Sequence, residues 1–130
     1  MFGRLGLGLS VWSPLAYGLL TGKYNDGFPA EARLSREGYE WLRNDLLDER
    51  AESRLAAVRR MCQLAGELEM SPAQLSILWV LANPNVSTAI TGASSPRQLR
   101  ETVGALALAE RMTPLLRSDV GAAFPDDLVD

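Results

Sequence analysis

The chain has no histidine, one cysteine and one lysine among 130 residues. The missing histidine excludes His-ligated metal sites and any Ser-His or Cys-His nucleophile pair built within the chain, and no metal site is expected. The lone Cys62 excludes an internal disulfide. Basic residues are fewer than acidic ones, 13 against 16, for a net charge of -3. No basic stripe offsets that balance, so a nucleic-acid partner is not expected and any anion site must be local. No apolar run approaches the roughly 18 to 20 residues that span a bilayer. Met1-Phe2-Gly3-Arg4 opens no signal-peptide pattern. No membrane insertion is therefore expected, and the cytoplasm is the default location. With 47% hydrophobic and 22% charged residues, the chain reads as one soluble globular unit able to bury a modest core.

What is present is organised around Trp12 to Tyr24, WSPLAYGLLTGKY. The apolar run of Leu7, Leu9 and Val11 leads into Trp12-Ser13-Pro14, where proline removes a backbone donor and ends strand pairing. The turn that follows has a hydroxyl at Ser13, backbone open to close approach at Gly18 and Gly22, and a cation at Lys23. Two readings fit: an anion site, or an ordinary strand-to-loop turn whose glycines only make turns. Lys23 favours the first, because the other twelve basic residues are all arginine.

Asn25-Asp26-Gly27-Phe28-Pro29 is a turn by its dipeptide chemistry. The stretch to Asp48 has no sustained period and reads as a long loop with a short helical turn, of the length that lids, binding loops and partner surfaces have. Arg33 in it is either a ligand contact or a solvated loop residue. From Glu49 to Leu68, Leu55, Val58, Cys62, Ala65 and Leu68 recur at helical spacing, which predicts an amphipathic helix with Cys62 a small buried hydrophobe. Ser71-Pro72-Ala73-Gln74 makes a capping box with proline at the first helical position. The helix it opens is apolar nearly all round and should be sandwiched between neighbours until Asn83-Pro84-Asn85 breaks it.

Val86 to Thr91 is β-branched and bounded by Pro84 and Gly92, which predicts a short buried strand. Ser95, Pro96 and Gln98 then repeat the capping chemistry and open a helix whose buried face should carry Leu99, Val103 and Leu106. Its free N–H groups and positive dipole end point back at the strand's carboxyl edge, where a phosphate would be favoured. Thr113-Pro114 starts a last helix through about Ala123, and Phe124 to Asp130 reads as a frayed acidic tail.

WSPLAYGLLTGKY and GASSPRQLRE together resemble the carboxyl-terminal part of the aldo-keto reductase family, in the branch containing the β-subunits of voltage-gated potassium channels and their bacterial relatives. GFPAEARLSREGYEWL and MSPAQLSILWVL between them resemble the same branch, so the likeness covers roughly residues 6–110. The resemblance implies an α/β fold, a (β/α)8 barrel of about 250 residues or more in the complete family protein, of which this chain would hold the last two strands with their helices. Residues 1–130 would then form a single partial domain, helix-rich as an isolated chain.

The same resemblance implies NADPH as cofactor. It places Trp12 on the nicotinamide ring, and Ser13, Pro14, Leu15 and Gly18 along the ribose and pyrophosphate. Lys23 falls near the phosphates and Arg33 beside the adenosine end. Gly92, Ser94, Gln98 and Glu101 match residues that hold the 2′-phosphate and adenine. Thr102 stands where the family usually has an asparagine bound to adenine. The family's catalytic aspartate, tyrosine, lysine and histidine come from earlier strands, and none of those stretches matches here. Tyr17, Tyr24 and Tyr39 do not replace the proton donor.

The chain is thus expected to be the cofactor-binding carboxyl-terminal part of an NADPH-dependent carbonyl reductase, a truncated frame or a fragment, with a carbonyl substrate only in a complete barrel. A Met1 so close to the first strand suggests an internal start. The alternatives are a non-catalytic nucleotide-binding or assembly subunit related to channel β-subunits, and an inactive remnant. Unpaired strand edges predict self-association of the isolated chain.

Overall fold

The computed structural model describes residues 2–124, so most of the expected acidic tail, Pro125 to Asp130, lies outside the described residues. A short helix α1 (Phe2–Leu5) precedes strand β1 (Leu9–Trp12). The long connection that follows holds two 3-10 segments, Ala16–Thr21 and Arg33–Ser35, and a helix α2 (Glu40–Leu46). Then come α3 (Ala51–Glu67), α4 (Pro72–Leu81), β2 (Val86–Ile90), α5 (Pro96–Gly104), a 3-10 segment Ala105–Arg111 and α6 (Pro114–Ala122).

The two strands pair in parallel, with Ser10 opposite Thr88, Val11 opposite Ala89 and Trp12 opposite Ile90. Leu9 pairs with Val86, so Ser87 is an extra residue on β2 and makes a bulge there. Glycine is required beside it, because a Cβ at Gly8 would collide with the Ser87 hydroxyl.

Helix α4 is the central element and packs against β2, α5 and α3. Its capping box forms as expected: Gln74 N–H donates to Ser71 Oγ at 3.2 Å and Ser71 N–H to Gln74 Oε1 at 3.0 Å. Ala73, Leu75, Ser76, Ile77 and Leu78 are buried, and Trp79 at the rim donates from its indole nitrogen to the Arg117 carbonyl. One core cluster joins α3, α4 and α6 through Met61, Leu75, Leu78 and Val120. A second lies under the long connection, where Leu19, Tyr24, Leu34 and Leu42 meet Val58. The expected loop is therefore a packed cover, held by a buried bond from Leu34 N–H to the Tyr24 hydroxyl.

Three expectations need correction. The fully buried line of α3 is Ala57, Val58, Met61 and Ala65, with Leu55, Cys62 and Leu68 half-buried beside it, because the helix serves both core clusters at once. Strand β2 is not buried: only Val86 and Ala89 are partly covered, and Ile90 is 58% exposed, since α4 covers one face and no described element covers the other. Leu99, Val103 and Leu106 do not face the core either. All three are more than half exposed, and α5 docks instead through Thr102, with Ala105 buried just beyond its end.

Candidate functional site

Both chain reversals expected to carry the site leave the carboxyl ends of the two parallel strands. After Trp12 the backbone enters an unusual series: Ser13, Ala16 and Tyr17 have φ of 50°, 45° and 57°, and Gly18 follows at 98°. Non-glycine residues held in this region cost roughly 1–3 kcal/mol each, and such strain gathers at functional turns. Local bonds hold the turn, with Ala16 N–H to the Ser13 carbonyl and Gly18 N–H to the Leu15 carbonyl, both at 2.8 Å. The Thr21 hydroxyl closes it on the Gly18 carbonyl at 2.7 Å.

The glycines of this turn are needed for close approach, but by the chain itself. A Cβ on Gly18 would lie 2.6 Å from Lys23 Nζ, and one on Gly22 would lie 2.6 Å from Cys62 Sγ. Lys23 Nζ also sits 5.1 Å from the centre of the Tyr24 ring. Trp12 stands at the strand end, 68% exposed, with the Tyr17 ring edge-on to it at 6.1 Å.

The opposite wall is the entry to α5. Ser95 Oγ accepts from Gln98 N–H at 3.3 Å, as a capping residue should. The Gln98 side chain does not complete a capping box. Its Oε1 accepts from Ser94 N–H at 2.8 Å and Ser94 Oγ at 2.9 Å, tying the glycine turn to the helix.

Between the walls lies an open groove of about 850 Å³. That is in the upper part of the roughly 300–1,000 Å³ usual for ligand sites. Every residue expected from the sequence to contact the cofactor lines it. From the first wall come Trp12, Ser13, Pro14, Leu15, Gly18 and Lys23; the long connection adds Arg33; the second wall supplies Gly92, Ser94, Gln98 and Glu101. Residues that sequence reasoning had not assigned to the site line it too: Tyr17, Arg36 and Arg97, with Pro72 and Ala73 from the start of α4. Arg97 had a legible signal, a cation in the first turn of a helix where the dipole disfavours one. Arg36 and Pro72 had none, because only the packing of the connection and of α4 carries them to the groove.

Lys23, Arg33, Arg36 and Arg97 line the groove together with Glu31 and Glu101, four cations and two carboxylates in a chain of net charge -3. The lining therefore carries a local excess of positive charge. Arg33 lies 5.8 Å from the Tyr39 ring centre and Arg36 donates to the Glu31 carbonyl at 3.3 Å. Behind the first wall, burial pushes the Cys62 thiol above its usual pKa, partly opposed by the Asn25 amide, which favours the neutral thiol. Among the described residues no three His, Cys, Asp or Glu side chains gather into a metal site. No helix among them is long and apolar enough to cross a membrane.

A parallel strand pair with a net-positive groove at its carboxyl ends, walled by a glycine turn and a helix start, is the arrangement of α/β proteins of the barrel or doubly wound kind. The chain belongs to the aldo/keto reductase family, whose model matches residues 1–115. It is 43% identical over 109 residues to a putative voltage-gated potassium channel subunit beta of Schizosaccharomyces pombe, covering 84% of this chain and 31% of that protein. It is 44% identical over 115 residues to a probable voltage-gated potassium channel subunit beta of Oryza sativa subsp. japonica, covering 88% of this chain and 34% of that protein. The chain thus spans about a third of the length of these relatives. The family fold is a (β/α)8 barrel, and two parallel strands with flanking helices are consistent with part of one.

Proposed function

We propose that the chain binds NADPH in this groove and forms the carboxyl-terminal, cofactor-holding part of an aldo-keto reductase barrel that reduces carbonyl compounds. The observation that supports it most is the convergence of all the expected contact residues, scattered from Trp12 to Glu101, on one groove. The lining also fits the group in kind, with the rings of Trp12 and Tyr17 beside four cations, Lys23, Arg33, Arg36 and Arg97. Trp12 would support the nicotinamide ring, and the strained turn from Ser13 to Gly18 would follow the ribose and pyrophosphate. Lys23 and the N-terminus of α5 would hold phosphate. Bound there, NADPH supplies a hydride to a carbonyl carbon. This chain's residues orient the cofactor and do not supply the proton, because the family's tyrosine, lysine, aspartate and histidine match no stretch of it.

The test is a titration of the chain with NADPH followed by quenching of tryptophan fluorescence, beside an aldehyde-reduction assay on the same preparation. Saturable quenching with no turnover above a heat-killed control is expected. Absence of binding would refute the cofactor reading, and turnover abolished by changing Tyr17, Tyr24 or Tyr39 would refute the missing-donor argument. The names of the two relatives, as channel subunits, favour a second reading, a non-catalytic nucleotide-binding or assembly subunit. Carbonyl reduction by a complete barrel carrying this segment would decide against it.

A further inference from the structure

The turn after Trp12 holds an aromatic residue in a backbone conformation that does not suit it. Tyr17 has φ 57° and ψ 21°, in the left-handed region, where a bulky L side chain is an outlier and glycine would sit without strain. Gly18 follows at φ 98°, so the turn has a glycine and yet places a large ring one residue before it. Strain of this kind persists only where the surrounding structure over-determines it, and it gathers at functional sites.

The two neighbours of the ring show what it does there. On one side Tyr17 packs against the second core cluster, under the long connection. On the other it meets the Trp12 indole, with ring centres 6.1 Å apart and planes at 76°, the edge-to-face geometry that aromatic pairs favour. Both rings line the groove. Trp12 has little else to fix it: it ends β1, is 68% exposed, and among the described residues Tyr17 is its one aromatic neighbour. Tyr17 thus ties an exposed ring at the strand end to the core. An exposed indole that turns freely is a poor platform for a flat ligand, because the freedom it loses on binding subtracts from affinity. A neighbour at 76° removes that freedom and leaves at least one indole face open to a second flat ring.

Resting on the NADPH reading above, we propose that Tyr17 is a positioning residue: it holds the Trp12 indole in the orientation on which the nicotinamide ring stacks, and its left-handed backbone is what carries the ring to Trp12. Its effect is confined to the nicotinamide end. The adenosine and phosphate contacts in that reading come from other residues of the lining, Arg33, Lys23 and the start of α5. A ligand that keeps those parts but has no nicotinamide should therefore be indifferent to Tyr17.

The experiment titrates the full 130-residue chain by calorimetry with NADPH and with adenosine 2′,5′-bisphosphate, which keeps the adenine and the 2′-phosphate and has no nicotinamide. Tyr17→Gly removes the ring at a position whose φ glycine accepts, and Tyr17→Leu keeps apolar packing on the core cluster without an aromatic edge; circular dichroism and a urea midpoint check the fold of each. Both variants are expected to weaken NADPH by about threefold to tenfold, the range an edge-to-face pair supplies, and to leave the bisphosphate within about twofold. Tyr17→Phe keeps the ring and should bind both ligands as the wild type does. In a Trp12→Ala background Tyr17→Gly should change NADPH by no more than about twofold, because no indole is left to position. If the wild type binds NADPH but Tyr17→Gly and Tyr17→Leu bind it equally well, or weaken both ligands alike, or the loss persists without Trp12, Tyr17 does not act through Trp12 and the cofactor reading survives. If the wild type does not bind NADPH, that reading falls and the proposal falls with it.

Discussion

Replacing Gly18 with alanine tests the strained turn and the placement of Lys23 together. Gly18 has a φ of 98°, outside the range an L-residue adopts without strain, and the new Cβ would lie 2.6 Å from Lys23 Nζ and 2.7 Å from its Cε. The backbone term costs about 1–2 kcal/mol. The clash falls on the end of a flexible side chain, so Lys23 swings away and forfeits its contact with Tyr24, about 0.5–1 kcal/mol at an exposed site. Together the substitution should destabilise the chain by about 1.5–3 kcal/mol, read in urea as a lower midpoint at unchanged slope. A double-mutant cycle separates the two parts. In a Lys23→Ala background, Gly18→Ala should still cost the backbone part of about 1–2 kcal/mol, with the coupling limited to the remainder. NADPH binding should weaken in both single variants, because each moves a cation out of the groove. A cost for Gly18→Ala within about 0.5 kcal/mol of zero would refute the reasoning, since the turn would then not be held at positive φ.

Three other outcomes follow from the same geometry. Ser71→Ala removes the acceptor for Gln74 N–H at the start of the central helix and should cost about 1–2 kcal/mol in urea unfolding, whereas a cost near zero would mean that water caps α4 equally well. Because burial raises the Cys62 pKa in the folded chain, the stability linked to its neutral thiol is complete below the unfolded pKa and falls as pH rises through the folded one. The wild type should therefore lose more stability than Cys62→Ala in the alkaline range, and Cys62 should alkylate faster in urea than in buffer; equal rates would refute its protection. Leu99, Val103 and Leu106 leave an apolar strip exposed on and just beyond α5, so the wild type should self-associate in sedimentation and Val103→Glu should reduce it without changing the thermal transition. A monomeric wild type would show that the strip does not drive association.

Local chemistry was enough to place several elements. Ser71 with Gln74, Ser95 with Pro96, and Thr113 with Pro114 set helix starts within one turn of sequence, because capping is a contact between residues three apart. Pro14 ended β1 for an equally local reason, its missing N–H. Of the site residues from Trp12 to Glu101, local chemistry marked only the turn with Ser13, Gly18 and Lys23 and the capped helix start after Gly92, and the rest were assigned by resemblance to the aldo-keto reductase family. Tertiary structure alone decided which faces are covered. The sequence marks Leu99, Val103 and Ile90 as apolar, but burial depends on a neighbour being there, and among the described residues nothing covers them. It also decided that the stretch before Asp48 is packed rather than loose, since Tyr24, Leu34 and Leu42 find Val58 across a long sequence separation with no period to announce it. The same holds for the groove: a sequence can give Arg97 its helix position, but only the folding of the connection over α4 brings Lys23, Arg33 and Arg36 to the same cleft and, by occupying them there, leaves Arg97 as the cation without a partner among the described residues.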